Sequence, residues 1–117
     1  MSQLSGDEGV WALVAWLVPL VGGVIGLVVR PGSGYVRHWS YLSIAFGLVI
    51  IVVDVVLGIL SLLTILIPPM HIVITALGYL AGLAFLIVWV IGILRERNSI
   101  YWKPTIIYDV AKIIGAP

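Results

Sequence analysis

The chain has 117 residues, 62% of them hydrophobic and only 9% charged, with a net charge of +1 and no cysteine. That is more apolar surface than a water-soluble core of this size can hide, so the composition points to lipid as the solvent. A charge so close to neutral argues against nucleic acid as a partner, and the lack of cysteine excludes disulfides, thiolate chemistry and sulfur metal sites.

Three charge-poor stretches reach the roughly 20 apolar residues that a bilayer-spanning helix needs. They run over about 10–29, 39–67 and 72–94. The expected fold is an all-α membrane protein: three transmembrane helices followed by a C-terminal interfacial amphipathic helix in the tail 95–117, all in one domain over 1–117. The first stretch follows Asp7 and Glu8 rather than basic residues and is succeeded by two more spans, so it reads as a retained helix and not a signal peptide. Pro19 should kink it. The second stretch is longer than a bilayer requires and should tilt. Pro68-Pro69-Met70-His71 leaves room only for a tight turn, which makes the second and third spans antiparallel neighbours.

In the tail, Ile106, Ile107, Val110, Ile113 and Ile114 recur at helical spacing after Pro104, while Thr105, Asp109 and Lys112 take the other side. With three crossings, Arg30, Arg37, Arg95, Arg97, Lys103 and Lys112 all fall on one side of the membrane. The positive-inside rule then predicts a multi-pass cell-membrane protein with its N-terminus outside and its C-terminus in the cytoplasm. Arg30, Arg37, His38, Trp39, Arg95, Arg97 and Lys103 form the expected cytoplasmic interface, in contact with anionic lipid headgroups.

Lipid gives helices no hydrophobic reason to associate, so small residues mark where backbones approach closely. Gly22 and Gly26 on the first span, Gly47 and Gly58 on the second, and Gly78 and Gly82 on the third lie in stripes at helical spacing. These stripes predict packing within the monomer, into a homo-oligomer or into a larger membrane complex. Asp54 is the one ionisable residue deep in a span, where a charged side chain costs about 3 kcal/mol. Counting from the turns places it near Tyr79 and Trp16, which are its predicted partners in an intramembrane polar centre. A clasp that fixes helix register is favoured over a proton relay, because no basic residue or second acid shares the span.

Soluble-enzyme motifs are missing: no H-E-x-x-H, phosphate loop, dinucleotide fingerprint or nucleophile elbow occurs. His38 and His71 fall on opposite faces and cannot share a metal. The expectation is therefore no catalytic residue, no metal and no cofactor.

Tyr35-Val36-Arg37-His38-Trp39-Ser40 before the second span, and Pro104-Thr105-Ile106-Ile107-Tyr108-Asp109-Val110-Ala111-Lys112 in the tail, are set in a matching order of spans. In this the chain resembles the small uncharacterised prokaryotic membrane proteins related to the chloroplast inner-envelope Tic import component. His38 stands one place earlier than that family's histidine, and Leu42 replaces its glutamine. The resemblance implies a multi-span helical fold and, by analogy with the plant proteins, a link to protein translocation. From the residues themselves, the leading expectation is a non-enzymatic scaffold or accessory subunit that packs through its small-residue faces. The alternative is an oligomeric proton or small-ion conductor that uses Asp54.

Overall fold

The computed structural model describes residues 8–29, 32–98 and 102–115, and every regular element among them is an α-helix. In chain order these are α1 (Glu8–Leu17), α2 (Val21–Val29), α3 (Gly34–Leu63), α4 (Pro68–Arg97) and α5 (Thr105–Ile114).

The first predicted span is not one helix. Pro19 lacks the N–H that would continue the helix and disfavours helical backbone at Val18. Leu20 then adopts a left-handed conformation, with φ 72°. The chain turns over 18–20, and α2 folds against α1 with its glycines inward. A Cβ added to Gly22 would stand 2.6 Å from the carbonyl oxygens of both Val14 and Ala15, and one added to Gly26 would stand 3.2 Å from the Ala15 Cβ. Each arm of nine or ten residues is about 15 Å long, half the roughly 30 Å of a hydrocarbon core. Two spans therefore replace the expected three: α3 and α4 are each long and apolar enough to cross a bilayer.

The broken first span also brings the start of α1 to the end of the hairpin where α4 finishes. The Ser33 hydroxyl donates to the Glu8 carboxylate at the start of α1 and accepts from the Val36 N–H as the N-cap of α3. Gly9 lies beside the Glu96 carboxylate near the end of α4. The beginnings of α1 and α3 and the end of α4 thus meet at one end of the molecule.

α3 and α4 form an antiparallel hairpin of two 30-residue helices, each about 45 Å long. Its turn is made by 64–67, not by the two prolines. Pro68 and Pro69 sit in the first turn of α4, where the missing N–H groups have no helical partner to lose. The Thr64 hydroxyl donates to Leu60 O at 2.8 Å, and His71 Nδ1 donates to Ser61 O at 3.1 Å, closing the tip. The expected amphipathic helix is present as α5. It lies across the base of α3, burying Ile107 and Ala111, and ends at Gly115 against the Tyr41 ring.

Candidate functional site

The buried core is confined to the base, where α1, α3, α4 and the segment before α5 converge. Trp16 of α1 is fully buried, stacked on Phe46 of α3 at 5.0 Å and edge-on to Trp39 and Trp102 at 5.4 and 5.9 Å. Phe85 of α4 closes the group edge-on to Phe46. Such pairs contribute about 1 kcal/mol each beyond the area they bury. The Trp16 indole donates to Trp89 O at 2.8 Å, and the Trp89 indole donates to Leu17 O at 3.1 Å. Leu17 O is one of the carbonyls left over at the end of a helix, so the second bond satisfies a group the α1 turn would otherwise strand.

A polar cluster seals the mouth of this base. The Tyr35 hydroxyl lies 3.0 Å from Glu96 O, to which it donates, and 3.3 Å from Glu96 Oε2. Glu96 is buried although Arg95 and Arg97 on either side are exposed. These charged helix ends lie outside the apolar stretches, and burial raises the Glu96 carboxyl pKa; the Tyr35 hydrogen bond and Arg97 act the other way. His38 is buried with Nε2 2.7 Å from Trp102 O, to which it donates. Burial lowers the His38 pKa, the bond to Trp102 opposes that, and Lys103 adds to it.

The predicted polar centre does not assemble. Trp16 faces Trp89 and not Asp54. Asp54 is exposed, Tyr79 is 78% exposed, and neither has a hydrogen-bond or charge partner among the described residues. The counting argument assumed three full-length antiparallel spans, and the first arm turns back at Leu20, beside Gly47, without reaching the level of Asp54. Of the predicted interface, Arg37 is half-buried, and Arg95, Arg97 and Lys103 are exposed at the base. His38 and Trp39 lie at the same end but are buried core groups rather than headgroup contacts. Arg30 lies outside the described residues. No group of three metal-ligating side chains occurs among the described residues.

The glycine stripes divide in two. Gly22, Gly26 and Gly47 are packed tightly, and a Cβ on Gly47 would come within 2.6 Å of the Leu20 Cβ. Gly58, Gly78 and Gly82 have no atom within 4 Å of where a Cβ would stand. The two sets lie on continuous faces. From Gly47, which the α1–α2 turn covers, two and three helical turns along α3 reach Asp54 and Gly58; from Trp89, which holds Leu17, the same steps back along α4 reach Gly82 and Gly78. The α1–α2 hairpin fills the lower part of this groove and leaves the upper part, with Asp54 at its edge, uncovered.

Several structuring residues carried no sequence signal. Glu96 reads as part of a solvated Arg-Glu-Arg run, and Glu8 as a charge preceding a span. Gly92 lies close against the Trp16 indole, a contact the expected pairing of Trp16 with Asp54 did not include. Compared with protein-family models, with curated proteins and with solved structures, the chain matches none.

Proposed function

We propose that this protein is a non-enzymatic integral membrane subunit that packs against a further surface through the open upper groove beside Asp54. The observation that carries the reading is the unpartnered carboxylate midway along an apolar hairpin, flanked by glycines with nothing against them. Lipid offers no hydrogen bond to an acid, and a charged one costs about 3 kcal/mol at mid-membrane. A second helical surface that approaches Gly58 and Gly82 closely and presents a polar group to Asp54 removes that cost. The basic residues gather at the base and the tip has none, so the base is assigned to the cytoplasm, with the α1–α2 hairpin entering and leaving on that side. The tilt or tip extension needed to fit 45 Å helices to a thinner bilayer lies within the ordinary range of accommodation.

The natural lack of cysteine allows a clean test. Gly82→Cys and, as a control on the opposite flank, Val52→Cys are oxidised in lipid discs after mass measurement. Cross-linked dimers through position 82 but not 52 support self-packing. A strict monomer without cross-links, which also co-purifies with no partner, sinks the reading. Proteoliposome flux separates the alternative: pH-dependent current that Asp54→Asn abolishes assigns a conductor, built from several copies because Asp54 faces out of the single chain. Protein translocation rests on the resemblance alone and ranks below both.

A further inference from the structure

We propose that α5 and the adjoining flank of α3 form a seat for one anionic phospholipid, an inference that rests on the membrane reading above. An apolar groove of about 200 Å³ runs between the two helices, lined by Leu48, Val49, Val52 and Val53 of α3 and Val110 of α5. This is a flank distinct from the glycine groove.

Two cations accompany it. The ammonium groups of Lys103 and Lys112 lie 5.5 and 5.3 Å from the centroid of one ring, that of Tyr108. The ring draws two like charges into one neighbourhood. Neither lysine forms an ion pair with a carboxylate among the described residues, although exposed Asp109 is on the same helix. Both side chains are flexible point charges able to converge on a phosphate.

The arrangement has the polarity of a leaflet. Val110 is two residues from both Tyr108 and Lys112, about 200° around the helix. The groove is therefore on the opposite flank of α5 from the cations. An interfacial helix turns its apolar flank to the acyl layer and its basic flank to the headgroups. α5 is about 10 Å across, less than the length of a phospholipid, so one molecule lies with a chain along Leu48–Val53 and its phosphate at Lys103 and Lys112. A phosphocholine group brings its own ammonium to that place, whereas an anionic headgroup leaves the phosphate charge for the lysines.

The test uses the full chain in vesicles of phosphatidylcholine and in an equal mixture with phosphatidylglycerol, with flotation to read insertion and native mass spectrometry to read retained lipid. Phosphatidylglycerol is expected to be retained over phosphatidylcholine. Lys103→Gln with Lys112→Gln should weaken that preference about thirty-fold, while the double Arg variant keeps it. Val52→Phe, which fills the groove, should reduce retention of both lipids. Equal retention by the wild type, an unchanged double Gln variant, or displacement by inorganic phosphate alone overturns the seat. Normal flotation with no lipid preference overturns the seat and leaves the membrane reading standing; failure to float with either vesicle overturns both.

Discussion

The lower and upper halves of the α3–α4 hairpin both carry glycines along one face, and those glycines meet opposite fates. In the lower half Gly47 receives Leu20, Gly92 receives Trp16, and Phe46 stacks on the same indole. Higher along the hairpin, Gly58, Gly78 and Gly82 face open space, and Val52, Val55, Leu80 and Leu83 are all exposed. What differs is the supply of large partners. The aromatic side chains that interlock are at the base, where Trp16 of α1 and Trp102 before α5 meet Trp39, Phe46 and Phe85 of the hairpin. A small residue allows close approach; a bulky group across from it turns the approach into packing.

The largest break in this comparison comes from removing the bulky group. Trp16→Ala deletes a fully buried indole that three aromatic rings and the Gly92 backbone close around, and it strips a donor from Trp89 O. A loss of about 4 kcal/mol is expected. Leu83→Ala in the upper half should cost well under about 1 kcal/mol in a monomer, because the side chain is exposed and its truncation leaves no internal cavity. Thermal unfolding of both variants in one detergent, followed by circular dichroism, decides the matter. Similar losses would mean that the upper half has a core of its own.

Adding a methyl group tests the same contrast from the other side. A Cβ on Gly92 would overlap the Trp16 ring, whose position is fixed by its stacking and by its bond to Trp89. Gly92→Ala should therefore destabilise by about 3 kcal/mol, at the upper end for overpacking. Gly82→Ala meets nothing and gains helix propensity, so the monomer should be unchanged or slightly more stable. If Gly82→Ala leaves the melting of the monomer intact yet disperses an assembly, the upper groove is an interface; if it weakens the monomer as Gly92→Ala does, the two halves are not distinct.

How much of this could be read from the sequence divides along the same line. Helix identity, the α3–α4 hairpin, the amphipathic C-terminal helix and the clustering of basic residues followed from hydropathy, helical period and charge, because each depends on local chemistry. The fate of Pro19 did not, since proline kinks and full reversals begin from the same lost N–H. The reversal is secured by distant groups: Leu20 N–H on Ser43 O at 3.2 Å, the Trp89 indole on Leu17 O, and Ser33 on Glu8. Once the first arm folds back, Trp16 is carried away from Asp54, and the polar centre inferred by counting turns dissolves. The tight glycines were legible as candidates, but which of the six would be filled depended on where Leu20 came to rest. Glu96 was hidden because two flanking arginines give it the look of a surface charge.

Glu96 provides the smallest effect and a way to sharpen what holds the base shut. Burial raises its carboxyl pKa above the unfolded value, with the Tyr35 hydrogen bond and Arg97 offsetting part of that rise. A carboxyl whose folded-state pKa is raised favours folding while protonated. Its contribution is fully present below the ordinary carboxylate value, about 4.3, and is lost as pH rises through the higher folded value. The wild type should therefore lose stability over that window as the pH approaches neutrality. Glu96→Gln keeps the size and an oxygen for the Tyr35 hydroxyl but carries no charge at any pH. Its melting temperature should exceed that of the wild type above the folded pKa, with the advantage shrinking as acid protonates the native carboxyl. Parallel melts from about pH 3 to 7 read the difference directly. A Gln variant that is less stable than the wild type at neutral pH would show that the ionised carboxylate, beside Gly9 at the start of α1 and within reach of Arg97, holds the hairpin mouth closed through its charge. The base would then owe its closure to electrostatics as well as to its aromatic core, a second device the upper half lacks.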